Sequence, residues 1–170
     1  LPVMTTLGVT TLISDSGVTR YRVNTEEWMM YDRKKPSYWA FEKGVYMEQF
    51  DSIFNVEASI KADTAYYYDK ERLWKLIGNV DIQNRKGERF NTELLYWNEA
   101  TQKVYSDKFI RIQQPDRIIT GHGFDSNQQM TIYTIRNIEG IFYVDEEASS
   151  GPPQPETKAL PDSVNKDTAK

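Results

Sequence analysis

The chain has 170 residues, 39% hydrophobic and 27% charged, with a formal net charge of −4. That balance fits one water-soluble domain with enough chain for a core, and the scattered Lys and Arg lack the clustered basic surface that phosphate neutralisation needs, which argues against nucleic acid as a partner. The absence of cysteine removes disulfides, thiolate metal sites and cysteine nucleophiles.

The start at Leu1 reads as a trimmed end, with any anchor outside the chain, and no stretch reaches the roughly 18–20 consecutive apolar residues of a membrane span. Residues 1–9 are expected to be a linker from such an anchor, and the folded domain to run over 10–144. In its first third a turn at Ser14-Asp15-Ser16-Gly17 precedes Tyr21 and Val23. An aromatic stretch from Trp28 to Trp39 is broken by Arg33-Lys34-Lys35-Pro36, and a short helical turn is plausible only around Glu26 to Tyr31.

From Val56 onward the period is two. Val56, Ala58, Ile60 and Ala62 alternate with Glu57, Ser59 and Lys61, the pattern of a half-buried strand. After a turn at Asp69 to Arg72, Trp74, Leu76, Gly78, Val80 and Ile82 share a face, and Asn84-Arg85-Lys86-Gly87 closes a hairpin with glycine where positive φ is needed. Phe90, Thr92, Leu94 and Tyr96 follow on one face, then a polar turn from Asn98 to Lys103, then Val104, Ser106, Ile110 and Ile112. Gln114-Pro115-Asp116 turns the chain into Ile118, Thr120, His122 and Phe124, and a last strand carries Met130, Ile132, Thr134 and Ile138. Gly78, Gly121 and Gly123 fall inside strands, where glycine weakens the ladder, so each marks a bulge, a bend or a close approach. Strands of about ten residues span about 34 Å at about 3.4 Å per residue, beyond the usual length, which predicts an elongated, folded-over antiparallel sheet. Residues 145–170, acidic and rich in proline, are expected to be disordered, either a plain flexible end or a tether for a partner.

The search for catalytic chemistry finds little. His122 is the single histidine, and nucleophile elbows, phosphate loops and zinc-protease pairs are all missing. Between two glycines it reads as a hydrogen-bonded structural residue rather than a base. Asp63, Asp81, Glu93 and Asp107 lie on successive strands, where paired acids would suit glycoside hydrolysis, but Asp81, Glu93 and Asp107 alternate away from the apolar face and are expected to look to solvent. Tyr66, Tyr67, Tyr68, Trp74, Tyr96 and Trp97 are either a carbohydrate-stacking platform or the aromatic content that strands normally carry. Neither a metal, a cofactor nor enzymatic activity is expected.

Several short motifs then occur in order: Leu12-Ile13-Ser14-Asp15-Ser16-Gly17, Arg20-Tyr21-Arg22-Val23, Phe41-Glu42-Lys43-Gly44-Val45, Ala62-Asp63-x-Ala65-x-Tyr67, Leu73-Trp74-x-x-x-Gly78-Asn79-Val80, Thr92-Glu93-x-Leu95-x-Trp97 and Tyr105-Ser106-Asp107. Together, over about Thr10 to Val144, they resemble the LptC family of periplasmic lipopolysaccharide-export proteins, related to the OstA-like bridge proteins. The resemblance implies a twisted, open β-jellyroll and a periplasmic location with an N-terminal inner-membrane anchor. It also implies a role in taking lipopolysaccharide from an ABC transporter and passing it to a bridge protein. The anchor and the acidic tail lie outside it.

Under that reading Val56, Ile60, Leu76, Val80, Ile82, Phe90, Leu94, Ile110, Ile112, Ile118, Phe124 and Ile132 are expected to face a lipid-binding groove, with the sugar portion toward solvent; alternatively they pack on one another. The transporter would pair at the N-terminal edge of the sheet. The bridge protein would pair at the C-terminal edge, over Thr131 to Asn137 (Thr131, Tyr133, Ile135) or Ile141 to Val144 (Ile141, Tyr143), and the same edges would permit self-association. Two other readings stand beside this one: a scaffold that pairs edges without touching lipid, and a carbohydrate-binding jellyroll.

Overall fold

A computed structural model of the chain describes residues 1–15 and 18–144. The Ser16-Gly17 half of the expected turn and the expected tail over 145–170 lie outside the described residues. The fold is all-β: one antiparallel sheet of 11 strands, without a helix among the described residues. In chain order the strands are β1 (Met4–Asp15), β2 (Val18–Tyr31), β3 (Tyr38–Phe41), β4 (Val45–Phe50), β5 (Val56–Ala62), β6 (Thr64–Tyr68), β7 (Leu73–Asn84), β8 (Arg89–Asn98), β9 (Lys103–Gln113), β10 (Arg117–Asn127) and β11 (Tyr133–Tyr143).

Two expectations about the N-terminal third are corrected. Residues 4–9 are not linker but the first half of β1, paired with β2 from Met4↔Met30 onward. Glu26 to Tyr31 continue β2 as strand, because β1 pairs on one side and β3 on the other at Met29↔Ala40 to Tyr31↔Tyr38. Flanking ladders override the weak local preference for helix.

Strands β7 to β11 form a meander in which each pairs with its chain neighbour. Strands β2 and β7 are each long enough to hold two partners in series. β2 takes β4 along Tyr21–Thr25 and β3 along Met29–Tyr31, while β7 takes β6 along Leu73–Ile77 and β5 along Asp81–Asn84. The pairs β4–β5 and β3–β6 thus bridge the two long strands side by side.

Register breaks cross the meander in line. They fall between Ile77 and Val80 against β8, between Thr92 and Tyr96 against β9, between His122 and Phe124 on β10, and between Thr120 and Gly121 against β11. The in-strand glycines sit at these points. Gly78 and Gly123 have φ of 82° and 83°, where a side chain would be strained, and a Cβ on Gly121 would lie 2.3 Å from the carbonyl oxygen of Asn137. Bulges increase local twist and bend their strands, so a row of them creases the whole meander.

The crease folds the sheet onto itself. By register, Asn127 is level with Leu73 and stands at the far end of the ladder from Asn84. Yet the Asn84 side-chain amide donates to the carbonyl of Met130 at 2.8 Å, and Phe90 packs on Phe124 and Tyr133 at ring distances of 5.7 and 5.0 Å. Opposite ends of the meander therefore meet, and the core fills the space between the two halves of the roll.

Candidate functional site: the apolar interior and the two sheet edges

Alternation delivers one side chain in two to the interior. Trp74, Leu76, Val80 and Ile82 come from β7, Val104, Ile110 and Ile112 from β9, and Phe124 from β10, all 2% exposed or less. Of the residues expected to face a groove, Ile60, Leu76, Val80, Ile82, Phe90, Ile110, Ile112, Ile118 and Phe124 are buried. All but Ile118 belong to one cluster of buried apolar side chains, so the described interior is an apolar core rather than an open trough.

Three of the expected residues are elsewhere. Leu94 is on the opposite face, because across the break β8 spans one residue fewer than β7 and β9 do, so its alternation changes phase after Thr92 and the inward positions become Leu95 and Trp97. It joins Ile77 and Phe109 in a trough of about 1100 Å³ on the outer face, rimmed by Lys61, Lys75, Lys108 and Arg111. Val56 is 45% exposed at the start of β5, beyond a register break opposite Gln49 and Phe50. Ile132, 76% exposed, belongs to the turn before β11, and the inward positions of that strand are Tyr133 and Ile135. Sequence reading also missed the aromatic packing of Trp28, Trp39 and Phe41 at the N-terminal end of the interior. The assumption of a helical turn in β2 hid it.

Polar side chains close the interior at two places. Near one end the Glu99 carboxylate accepts from the Tyr21 hydroxyl (2.5 Å), the Trp74 indole (2.9 Å) and the Tyr67 hydroxyl (3.4 Å), with Arg72 at 3.7 Å. Burial, reinforced by this carboxylate, pushes the Tyr21 hydroxyl far above the ordinary tyrosine range and Tyr67 up to about 12. At the other place Glu88, 8% exposed, accepts from the Asn84 amide (2.9 Å) and from the Tyr133 hydroxyl, which in turn accepts from Gln114 (2.6 Å). Burial and the Glu88 bond raise Tyr133 to about 12.

Of the acids considered for catalysis, Asp63, Asp81 and Glu93 line this same outer trough, Asp63 and Glu93 both bonded to Asn79, and Asp107 lies apart from them. Asp81 holds Arg89 through two bonds, Asp63 accepts from the Asn79 amide at 2.8 Å, Glu93 accepts from the Asn79 backbone N–H at 3.2 Å, and Asp107 pairs with Arg136 at 2.8 Å. His122 is exposed, bonded through Nδ1 to Glu139 across the β10–β11 ladder, and edge-on to Phe109 at 5.5 Å. Among the described residues no group of three or more His, Asp or Glu is placed to hold a metal ion.

Among the described residues the sheet has two free margins: β1, which pairs only with β2, and β11, which pairs only with β10. Each carries exposed apolar side chains, Leu7 (69%) and Leu12 (54%) on β1, Ile138 (58%), Ile141 (44%) and Tyr143 (58%) on β11. Of the residues expected at the C-terminal edge, Tyr133, Ile135, Ile141 and Tyr143 are in β11 and Thr131 is in the turn before it. A strand edge that keeps apolar side chains is the kind that accepts another strand.

The family described as "Lipopolysaccharide-assembly, LptC-related" matches residues 9–142. The chain belongs to the LptC family. A search of curated proteins finds no match. The LptC match takes in the crease, the buried cluster, the second half of β1 from Val9 and all of β11 but Tyr143. Membership makes this a lipopolysaccharide-assembly protein of all-β, jellyroll-like fold.

Proposed function

We propose that this LptC-family chain carries lipopolysaccharide across the periplasm side of the inner membrane, shielding the acyl chains in its rolled interior. It takes the lipid from an inner-membrane ABC transporter at the β1 edge and passes it to an OstA-like bridge protein at the β11 edge, with an anchor outside the chain holding it in place. One observation carries this reading: a single apolar interior runs under a sheet whose two free edges lie at opposite ends of the strand order. An acyl chain of about twelve methylenes gains roughly 10 kcal/mol by leaving water, at about 0.8 kcal/mol per CH₂. Such a lipid does not cross water unshielded at a useful rate.

An interior that is core rather than open trough favours a second reading, a scaffold that pairs edges while lipid stays outside. Photo-crosslinking decides between them. Benzophenone side chains at Leu76 and Ile112, which face the interior, are expected to yield lipopolysaccharide adducts in cells with an active transporter, and those at Lys75, Leu94 and Arg111, outside, are not. Adducts at neither set would leave the scaffold as the working account.

A further inference from the structure

The interior is closed along one seam, and a short turn closes it. The residues linking β10 to β11 fold on Asn127, whose side-chain oxygen accepts from the backbone N–H groups of Thr131 (2.9 Å) and Ile132 (3.1 Å). Its amide donates to the Thr131 hydroxyl at 2.9 Å, and its carbonyl accepts from the Met130 N–H at 3.1 Å. Within this ring Met130 takes φ 59°, a left-handed conformation that side-chain-bearing residues adopt reluctantly. The side chain is nevertheless 1% exposed and part of the core cluster. The turn's hydrogen bonds and the core contacts together hold this backbone conformation with the Met130 side chain inward.

What holds the turn to the other side of the seam is side-chain contact: Met130 in the core cluster, Tyr133 against Phe90, and a few polar bonds. Asn84 donates to the Met130 carbonyl at 2.8 Å, Lys86 Nζ reaches the Thr131 carbonyl at 3.5 Å, and the Tyr133 hydroxyl links Glu88 to Gln114. Strand pairing does not cross here, since β7 and β8 are separated from β11 in the sheet by β9 and β10. Opening the seam breaks the apolar contacts of Met130 and Tyr133 and a few side-chain hydrogen bonds but no ladder, and local openings are drawn from regions without a ladder to break.

We propose that this seam is the portal through which an acyl chain enters the interior, with Met130 as its removable plug. When Met130 withdraws, methylenes of the lipid occupy its place in the cluster that contains Phe90 and Phe124. Methionine suits a plug because it is unbranched, flexible and apolar, filling the gap without locking it. The inference rests on the transport reading and adds where the interior opens and to what chemistry. It also ties the portal to the β11 edge. Tyr133 is the first residue of that strand and the hydroxyl that bridges Glu88 and Gln114, so a strand docking on β11 acts on the plug directly.

The test uses the absence of native cysteine. Lys86→Cys and Thr131→Cys together supply the only two thiols, to be joined by a cleavable bis-maleimide in a chain carrying benzophenone at Leu76. Purified lipopolysaccharide is the probe. Bridging is expected to cut Leu76 adducts at least tenfold and cleavage of the bridge to restore them; equal adducts in bridged and unbridged protein would overturn the portal while leaving lipid transport standing. Adducts absent from both would overturn the transport reading, and the acyl occupant with it. Hydrogen exchange on the free chain gives a readout that needs no lipid. The Thr131 and Ile132 amides should exchange through a local opening that Asn84→Ala accelerates and that leaves the β7–β10 amides protected. Exchange of those two amides only with the whole sheet would exclude a portal.

Discussion

At the residue scale the glycines of the crease make the most specific demands. A methyl at Gly121 would stand 2.3 Å from a backbone oxygen of β11, which cannot swing aside as a side-chain end can. Gly121→Ala is expected to cost about 1–3 kcal/mol, as overpacked sites do, and to loosen β11 from β10 first. Urea titration read together with hydrogen exchange on β11 checks both. The buried tyrosines set the response to alkali. Tyr67 and Tyr133 hold their protons to about 12 in the fold, and Tyr21 beyond that, against 10.0 for the free side chain. Their contribution to stability is complete below pH 10.0 and falls as pH rises toward 12, because only the unfolded chain releases protons in that window. Melting temperatures measured across it should decline steeply, and Tyr67→Phe with Tyr133→Phe should flatten the decline. A melting temperature flat from pH 9.5 to 11.5, in about half-unit steps, would contradict the burial of these hydroxyls.

At the element scale the edge strands carry the partner prediction. Ile138, Ile141 and Tyr143 project from β11 without supporting the core, so Ile138→Lys with Ile141→Lys should leave the melting temperature within a few degrees while weakening capture of the bridge protein about tenfold or more. Unchanged capture in a pull-down would move the docking site away from β11. These strands also show what a sequence does and does not reveal. The two-residue period from Val56 to Ile112 identified strands and placed most of the interior, since alternation is a local property of the chain. The glycines at 78, 121 and 123 announced where it would break. The direction of each break was hidden: Leu94 and Leu95 are equally apolar, and only the register against β9 decides which one turns inward. A one-residue slip exchanges the faces of everything downstream. Val56 and Ile132 were misplaced for a related reason, because apolar residues at strand ends look like interior ones until the turn is known. The Asn84–Met130 closure left no trace in local pattern, being made between residues far apart in sequence.

At the scale of the whole molecule the interior is continuous, so its largest side chain is a test of the roll itself. Trp74 is fully buried, stacked near Phe41, Tyr67 and Trp97, and bonded to Glu99. Trp74→Ala should cost about 3–5 kcal/mol by calorimetry or urea titration, the range for deleting a buried aromatic. A much smaller loss would mean that the two halves of the roll adjust independently. The strand order bears on how the molecule forms. From β7 to β11 every pairing joins chain neighbours through a short turn, and such hairpins close quickly because little chain entropy is lost. The pairing of β2 with β3 and β4, and of β5 with β7, has to wait for longer loops to close. The C-terminal meander is thus the natural place for folding to begin. The ring of contacts between its two ends forms only after the crease has bent it, so a slow final phase, reported by Tyr133 or Met130 and silent in the backbone signal, is the kinetic mark that a rolled sheet leaves and a flat one does not.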